Sequence, residues 1–179
     1  MIAAFDVQYF DEDPATTIAA RAGAVVFQTF TDAQPVATYQ KEFASVETYV
    51  PGEFYRRELP CLLALIADIR EALHTFIVDG YVQLGPAGTS RPGLGQHLAA
   101  QLAAEPSRAS YTVVGVAKSH FAGSVAAEVF RGGSQRPLYV TSTGNITDAA
   151  DRVRSMHGPH RIPTLLRLVD HLARGIVSA

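Results

Sequence analysis

A single cysteine, Cys61, stands among 179 residues, so no intramolecular disulfide can form and no Cys-x-x-Cys zinc pair exists. Its neighbours in Pro60-Cys61-Leu62-Leu63 are apolar, the setting of a buried inert thiol rather than a nucleophile. A charge excess is also missing: 15 Lys and Arg stand against 17 Asp and Glu, a formal net charge of −2. No global basic surplus advertises nucleic acid, although net charge leaves room for a local basic groove. No apolar run approaches the length of a membrane span. Met1–Phe5 reads as a short strand without the charged region of a secretory signal, so an intracellular, cytoplasmic protein with no membrane partner is expected. Repeats, low-complexity tracts and linkers are absent as well. What remains, 47% apolar and 18% charged residues, is the composition of a soluble globular protein, expected as one domain over residues 1–179.

The most informative stretch is Thr75-Phe76-Ile77-Val78-Asp79-Gly80. Four residues of high β propensity run into one acid, and a glycine follows. Asp-Gly is a common turn dipeptide. It is also what a buried strand looks like when it ends in a carboxylate at the edge where open α/β folds place their chemistry. A second strand carries a similar acid. Over residues 1–10, Ile2, Ala4, Asp6, Gln8 and Phe10 alternate with Met1, Ala3, Phe5, Val7 and Tyr9, so Asp6 projects from a face otherwise mostly small or apolar.

Short connections link strands expected at residues 1–10, 17–30 and 35–45, an antiparallel meander. Asp11–Asp13 reads as a solvated loop, and Tyr49-Val50-Pro51-Gly52 as a turn carrying an aromatic. A helix is expected from about Glu58, with Pro60 in its first turn and Leu59, Leu62, Leu63, Ile66, Ile69 and Leu73 on its buried face. Glu58 at its entry is either a plain helix-start acid or a ligand presented there. After the Asp79 strand, residues 80–93 form a long Gly- and Pro-punctuated loop. A helix over 94–104, a strand over 111–119 with Lys118 near its end, and a hairpin of 125–130 with 137–142 follow. A helix over 145–156 capped by Asn145 or Thr147 comes next, and another from Pro163. That last helix is expected to bury Ile162, Leu165, Leu166, Val169, Leu172 and Ile176; Asp170 reaches the active edge or pairs with Arg167 or Arg174. His157 and His160 lack Cys or carboxylate partners at zinc-like spacing and read as loop residues.

This order fits a mixed sheet covered by helices. If the Asp6 and Asp79 strands pair in parallel, the two acids are neighbours and Glu58 enters from the preceding helix. Two carboxylates about 4 Å apart repel by roughly 4 kcal/mol at an effective dielectric near 20, so they stay ionised together only beside a cation. An all-oxygen set favours Mg²⁺ or Mn²⁺ over zinc. Metal-dependent phosphodiester chemistry is the reaction class such a site allows.

Six motifs, in order, resemble the endonuclease V family over nearly the whole chain. They are Ile2–Tyr9 with Asp6; Tyr49-Val50-Pro51-Gly52; Arg57-Glu58-Leu59-Pro60; Val78-Asp79-Gly80; Gly115-Val116-Ala117-Lys118-Ser119; and Arg161-Ile162-Pro163 through Asp170. The resemblance implies a ribonuclease H-like α/β fold and Mg²⁺-dependent cleavage, with Mn²⁺ as a substitute, on the 3′ side of deoxyinosine in DNA or inosine in RNA. It implies that Asp6 and Asp79 bind the metal, that Glu58 completes the site, and that Lys118 contacts the scissile phosphate or its neighbour. Tyr49 is implied as a wedge beside the base; Gly80, Tyr81, Arg91 and Asn145 are further nucleic-acid contacts, and a monomer is expected. The chain departs from the family pattern twice. Tyr81-Val82-Gln83-Leu84-Gly85-Pro86 replaces a histidine-bearing loop, and Asn145 replaces a histidine in Ser142-Thr143-Gly144-Asn145. Asparagine can hydrogen-bond but cannot shuttle a proton. A homologue that binds nucleic acid without cutting it, or a nuclease for another structured substrate, therefore stays open as an alternative.

Overall fold

The computed structural model describes residues 1–10, 18–48, 50, 52–104 and 111–176. The expected loop at Asp11–Asp13 and the aromatic Tyr49 lie outside the described residues. Among the described residues nine strands and four helices follow one another: β1 (Ile2–Tyr9), β2 (Ala20–Phe27), β3 (Ala37–Phe43), α1 (Tyr55–Ile66), β4 (Thr75–Asp79), β5 (Gln83–Leu84), β6 (Arg91–Pro92), α2 (Leu94–Ala103), β7 (Thr112–Ala117), β8 (Ala127–Val129), β9 (Leu138–Ser142), α3 (Ile146–Ser155) and α4 (Thr164–Arg174).

Seven strands make a mixed sheet in the order β3-β2-β1-β4-β7-β9-β8. The expected meander is present: β1, β2 and β3 pair antiparallel. β1 and β7 flank β4 in parallel, and β9 turns back antiparallel along β7. Alternation of side chains divides the core into two layers. On one face Ala3, Phe5, Phe76 and Val78 pack with Leu62 and Leu65 of α1 and Leu98 of α2. On the other, Ile2, Ala4, Ile77, Val114 and Val116 pack with Val153 of α3 and Leu165 and Val169 of α4. β4, apolar on both faces until Asp79, is the central strand its composition implies.

Three boundaries differ from the expectation. α1 begins at Tyr55, three residues before Glu58, which puts Pro60 inside the helix. The missing N–H is tolerated there because Pro60 and Arg56, the residue one turn earlier whose carbonyl it would have met, are both exposed, so water can serve that carbonyl. α1 also ends at Ile66, so Ile69 and Leu73 reach the core from the irregular segment beyond it. Ile176 lies past the end of α4 and is exposed, because Gly175 turns the chain in the left-handed region (φ 72°). The 80–93 loop contains one element composition did not announce, the small antiparallel pair β5–β6.

Candidate active site

The parallel register places the first two acids. Phe5 pairs with Val78, so one residue further Asp6, in the middle of β1, stands beside Asp79 at the end of β4. Asp79 in turn pairs with Val116 of β7, and Lys118 follows two residues on. Period-two alternation puts Asp6, Asp79 and Lys118 on the sheet face of Ile2, Ala4, Ile77 and Val116, the face that α4 covers. Lys118 Nζ donates to Asp79 Oδ2 at 2.8 Å. α4 adds a carboxylate from above: Asp170 Oδ1 lies 3.9 Å from the same ammonium, and Asp170 Oδ2 lies 3.0 Å from Arg174 Nε. The two roles open to Asp170 in the sequence are thus both filled. α4 comes this close because Gly23, opposite Asp6 on β2, has no side chain; a Cβ there would sit 3.1 Å from the Val169 carbonyl oxygen and 3.0 Å from the Ala173 nitrogen. Glu58 arrives from α1 on the other face of the sheet and is 2% exposed.

Electrostatics couple these groups. Burial, and then the charge of Asp79, push the Asp6 carboxyl up to about 6, against the pull of Lys118 and of the Val7 N–H, which donates to Asp6 Oδ1 at 2.8 Å. Glu58 is raised well above the usual carboxylate range, first by burial and then by Asp6 and Asp79. Burial alone would lower Lys118; the hydrogen bond it donates to Asp79 and the charges of Asp79, Asp6 and Asp170 outweigh it and raise the ammonium's pKa. Cys61, one helical turn from Glu58, is pushed up to about 11 by burial and by Glu58, so its thiol is the inert one expected.

The remaining expected contacts divide. Gly80 turns the chain at the Asp79 strand end with φ 140°, and its carbonyl oxygen would lie 2.5 Å from a Cβ on Gly115, so Gly115 must lack one. Tyr81, expected at nucleic acid, has a structural part in the fold. The ring is buried, its hydroxyl donates to the Ser119 carbonyl at 3.0 Å and accepts from the Phe121 N–H at 3.0 Å, so it braces the turn after Lys118. Arg91 is exposed and donates to the Gly52 carbonyl at 3.3 Å, tying the 80–93 loop to the segment that bears the expected wedge. The 80–93 loop also meets the 119–126 turn, where Ser124 Oγ accepts from the Gly85 N–H at 2.8 Å.

Asn145, the other residue expected at nucleic acid, also has a structural part. It caps α3, with Oδ1 accepting from the N–H groups of Thr147 and Asp148 at 2.9 and 3.0 Å. Because β9 runs antiparallel to β7, its C-terminal end and Asn145 lie at the sheet edge opposite Asp79, beside Thr75 and Thr112 at the strand starts. The replacement of a histidine by Asn145 therefore does not touch the carboxylate cluster.

A cavity of about 150 Å³ opens under the acids, walled by Ile77, Val116 and Leu138 of the sheet and Ile162, Leu166 and Val169 at α4. Two arginines given no role of their own by the sequence hold the backbone around residues 154–161 and beside Lys118. The Arg131 guanidinium is buried and donates to the carbonyls of Arg154, Met156, Gly158, His160 and Arg161. Arg161 Nη2 donates to the Lys118 and Pro137 carbonyls. Nothing in the local sequence marks Arg131, whose partners are all backbone oxygens 23 to 30 residues away.

As they stand, no three His, Cys, Asp or Glu side chains among the described residues close around one point tightly enough to hold an ion. The donor chemistry nevertheless fits a hard divalent cation. Asp6 of β1 and Asp79 of β4 stand side by side, Asp170 of α4 shares Lys118 with Asp79, and Glu58 of α1 feels the charges of Asp6 and Asp79; burial first, and then those charges, push Asp6 and Glu58 up.

The endonuclease V family model matches residues 1–159. Endonuclease V of Xanthomonas axonopodis pv. citri is 30% identical over 205 aligned positions, covering 99% of this chain and 79% of the relative. That of Nostoc punctiforme is 28% identical, covering 84% and 73%. Among solved structures, endonuclease V of Streptomyces avermitilis superposes with a TM-score of 0.73 at 24% identity, over 97% of this chain and 79% of that one. Endonuclease V of Ciona intestinalis, in complex with a 24mer DNA containing an inosine followed by a ribo-adenosine, gives 0.73 at 18% identity, over 97% and 84%. The fold is the ribonuclease H-like one. With the six motifs, the strand-end acids and a family match over most of its length agreeing, the chain belongs to the endonuclease V family of nucleases.

Proposed function

We propose that this chain is a divalent-metal-dependent endonuclease that hydrolyses a phosphodiester on the 3′ side of deoxyinosine, or of a related deaminated base, in DNA or RNA. One observation carries the reading: carboxylates from four separate elements come near one another around the C-terminal end of β4, where Lys118 lies 2.8 Å from Asp79 and 3.9 Å from Asp170. Packing does not explain that convergence, since the charges of Asp79 and Asp170 add to the cost of ionising Asp6, and those of Asp6 and Asp79 to that of Glu58. The relatives are nucleases, and the Ciona neighbour was solved with inosine-containing DNA.

Asp6 and Asp79 would hold Mg²⁺ or Mn²⁺, with Glu58 and Asp170 completing the set. A bound divalent ion supplies charge stabilisation at the phosphate and an acidified water. The protein's own groups do the rest. Burial of Glu58 keeps its carboxyl in one orientation and away from bulk water. Lys118 keeps a half-exposed ammonium beside Asp79; when Asp79 turns to a cation, its three N–H donors are free for a phosphate oxygen. Tyr49 is assigned the wedge on the resemblance of its motif. The non-cutting alternative rested partly on Asn145, and that residue lies at the far edge of the sheet.

The test is cleavage of labelled oligonucleotides in Mg²⁺ or Mn²⁺: one with a single deoxyinosine, one with inosine in RNA, one with neither, each repeated with Asp79→Ala. Metal-dependent cutting near inosine is expected, falling by more than about 100-fold in Asp79→Ala. Equal cutting by Asp79→Ala would refute the assignment. No cutting by folded wild type that still binds the strands would favour a binding-only homologue.

A further inference from the structure

The protein's net charge has the wrong sign for its proposed substrate, and its active edge is rich in carboxylates. A polyanion approaches such a surface only along a local positive track. The charges are distributed unevenly. Residues 131–176 hold seven arginines against three aspartates, a formal balance of +4, which leaves −6 on the rest of a chain whose total is −2. Several of those arginines are already engaged. Arg131 is buried among carbonyls, Arg154 pairs with Asp151, and Arg174 pairs with Asp170. Arg136 and Arg167 are exposed, and neither pairs with a carboxylate among the described residues.

Both lie at the active edge. Arg136 sits in the turn just before Leu138, where antiparallel β9 begins beside the end of β7, and Tyr139 pairs with Ala117. Arg167 lines the cavity that also reaches Asp6, Asp79 and Lys118. Arg161 stands between them. Its guanidinium joins the Pro137 carbonyl to the Lys118 carbonyl, and its buried Nε has no hydrogen-bond partner. The turn carrying Arg136 is thereby fixed relative to the lysine. On the other side of Lys118 stand the 80–93 and 119–126 loops, held to each other through Tyr81 and Ser124.

We propose that Arg136 and Arg167, with Arg161 as the brace between their elements and Lys118, form a phosphate-binding track for the nucleic-acid backbone flanking the cleaved bond. The strand then runs from this track, over Asp79 and Lys118, to the loop wall, where the base is read. The inference rests on the nuclease reading and adds the path of the strand to it. Guanidinium groups suit this role because their planar fork meets phosphate oxygens in pairs, and a track that touches only phosphates is indifferent to sequence.

The experiment is the salt dependence of binding to a fluorescein-labelled deoxyinosine oligonucleotide in EDTA, where no metal-dependent cutting occurs. Wild type is compared with Arg136→Gln, Arg167→Gln and the double variant. Arg70→Gln serves as control, since Arg70 is exposed near the start of β4 at the opposite edge. Each track variant is expected to lower the slope of log K against log salt by about 0.7, and affinity by about five-fold at 0.1 M salt, with the double variant additive. Arg70→Gln should leave the slope unchanged. Wild-type slopes in both track variants, or an equal drop in Arg70→Gln, would overturn the track while metal-dependent cleavage near inosine still upheld the nuclease. Failure of wild type to bind or cut any strand would overturn both.

Discussion

Replacing Lys118 by glutamine would remove the cation that now bonds Asp79 at 2.8 Å and stands 3.9 Å from Asp170. The ammonium and a divalent ion compete for the same carboxylate, and two unit charges about 4 Å apart interact by roughly 1 to 4 kcal/mol between water and a protein surface. Lys118→Gln is therefore expected to bind Mn²⁺ several-fold more tightly in isothermal titration calorimetry and to cleave more slowly. Weaker Mn²⁺ binding by the variant would show that Lys118 does not occupy the cation's place. Asn145 gives the opposite expectation. Asn145→Ala removes a helix cap, a loss of about 1 kcal/mol, and should lower the melting temperature by about 2–4 °C while leaving cleavage of inosine DNA unchanged. A large fall in cleavage at full folding would return Asn145 to the active site. At this scale the sequence disclosed Asp6 in mid-strand and Asp79 at a strand end, because each interrupts an apolar run. It hid the place of Asn145, because the order of motifs along a chain says nothing of whether a strand runs up or down the sheet.

Elements carry the next constraint. β7 passes so near the chain leaving β4 that a Cβ on Gly115 would lie 2.5 Å from the Gly80 carbonyl oxygen and 2.5 Å from Thr141 Oγ1. Gly115→Ala must displace the turn that follows Asp79. An overpacking cost of about 1–3 kcal/mol and a melting temperature lower by several degrees are expected, with cleavage falling further than the stability loss accounts for. Unchanged melting and cleavage would mean that this contact relaxes freely. Helical and strand periodicity located nearly every element of the sheet and its cover. α1 was misplaced by three residues because Pro60 favours a first turn, while the burial of Arg57, Glu58 and Cys61 draws the helix back to Tyr55. The β5–β6 pair was not legible, since two-residue strands within a Gly- and Pro-rich loop leave no periodic trace.

For the molecule as a whole, the carboxylate cluster is a reservoir of repulsion that a cation would relieve. Mn²⁺ at 100 times its dissociation constant should stabilise the folded state by about 2.7 kcal/mol. In thermal unfolding that rise should be clear for wild type and largely lost in Asp79→Ala; an equal rise in both would place the ion elsewhere. The charge asymmetry of the chain was countable in the sequence, yet which arginines it leaves unpaired at the active edge depended on the folded ion pairs and on the carbonyls around Arg131.

Gly23, where β2 lets α4 settle against the sheet, ties this site to the course of synthesis. Asp6 precedes Asp170 by more than 160 residues, and they face the same ammonium only once α4 has docked. On the proposed reading, a ribosome-bound or prematurely stopped chain holds the opening strand and the central acid but an unfinished cleft. On that reading the site stays incomplete until α4 has been made and has packed against β2.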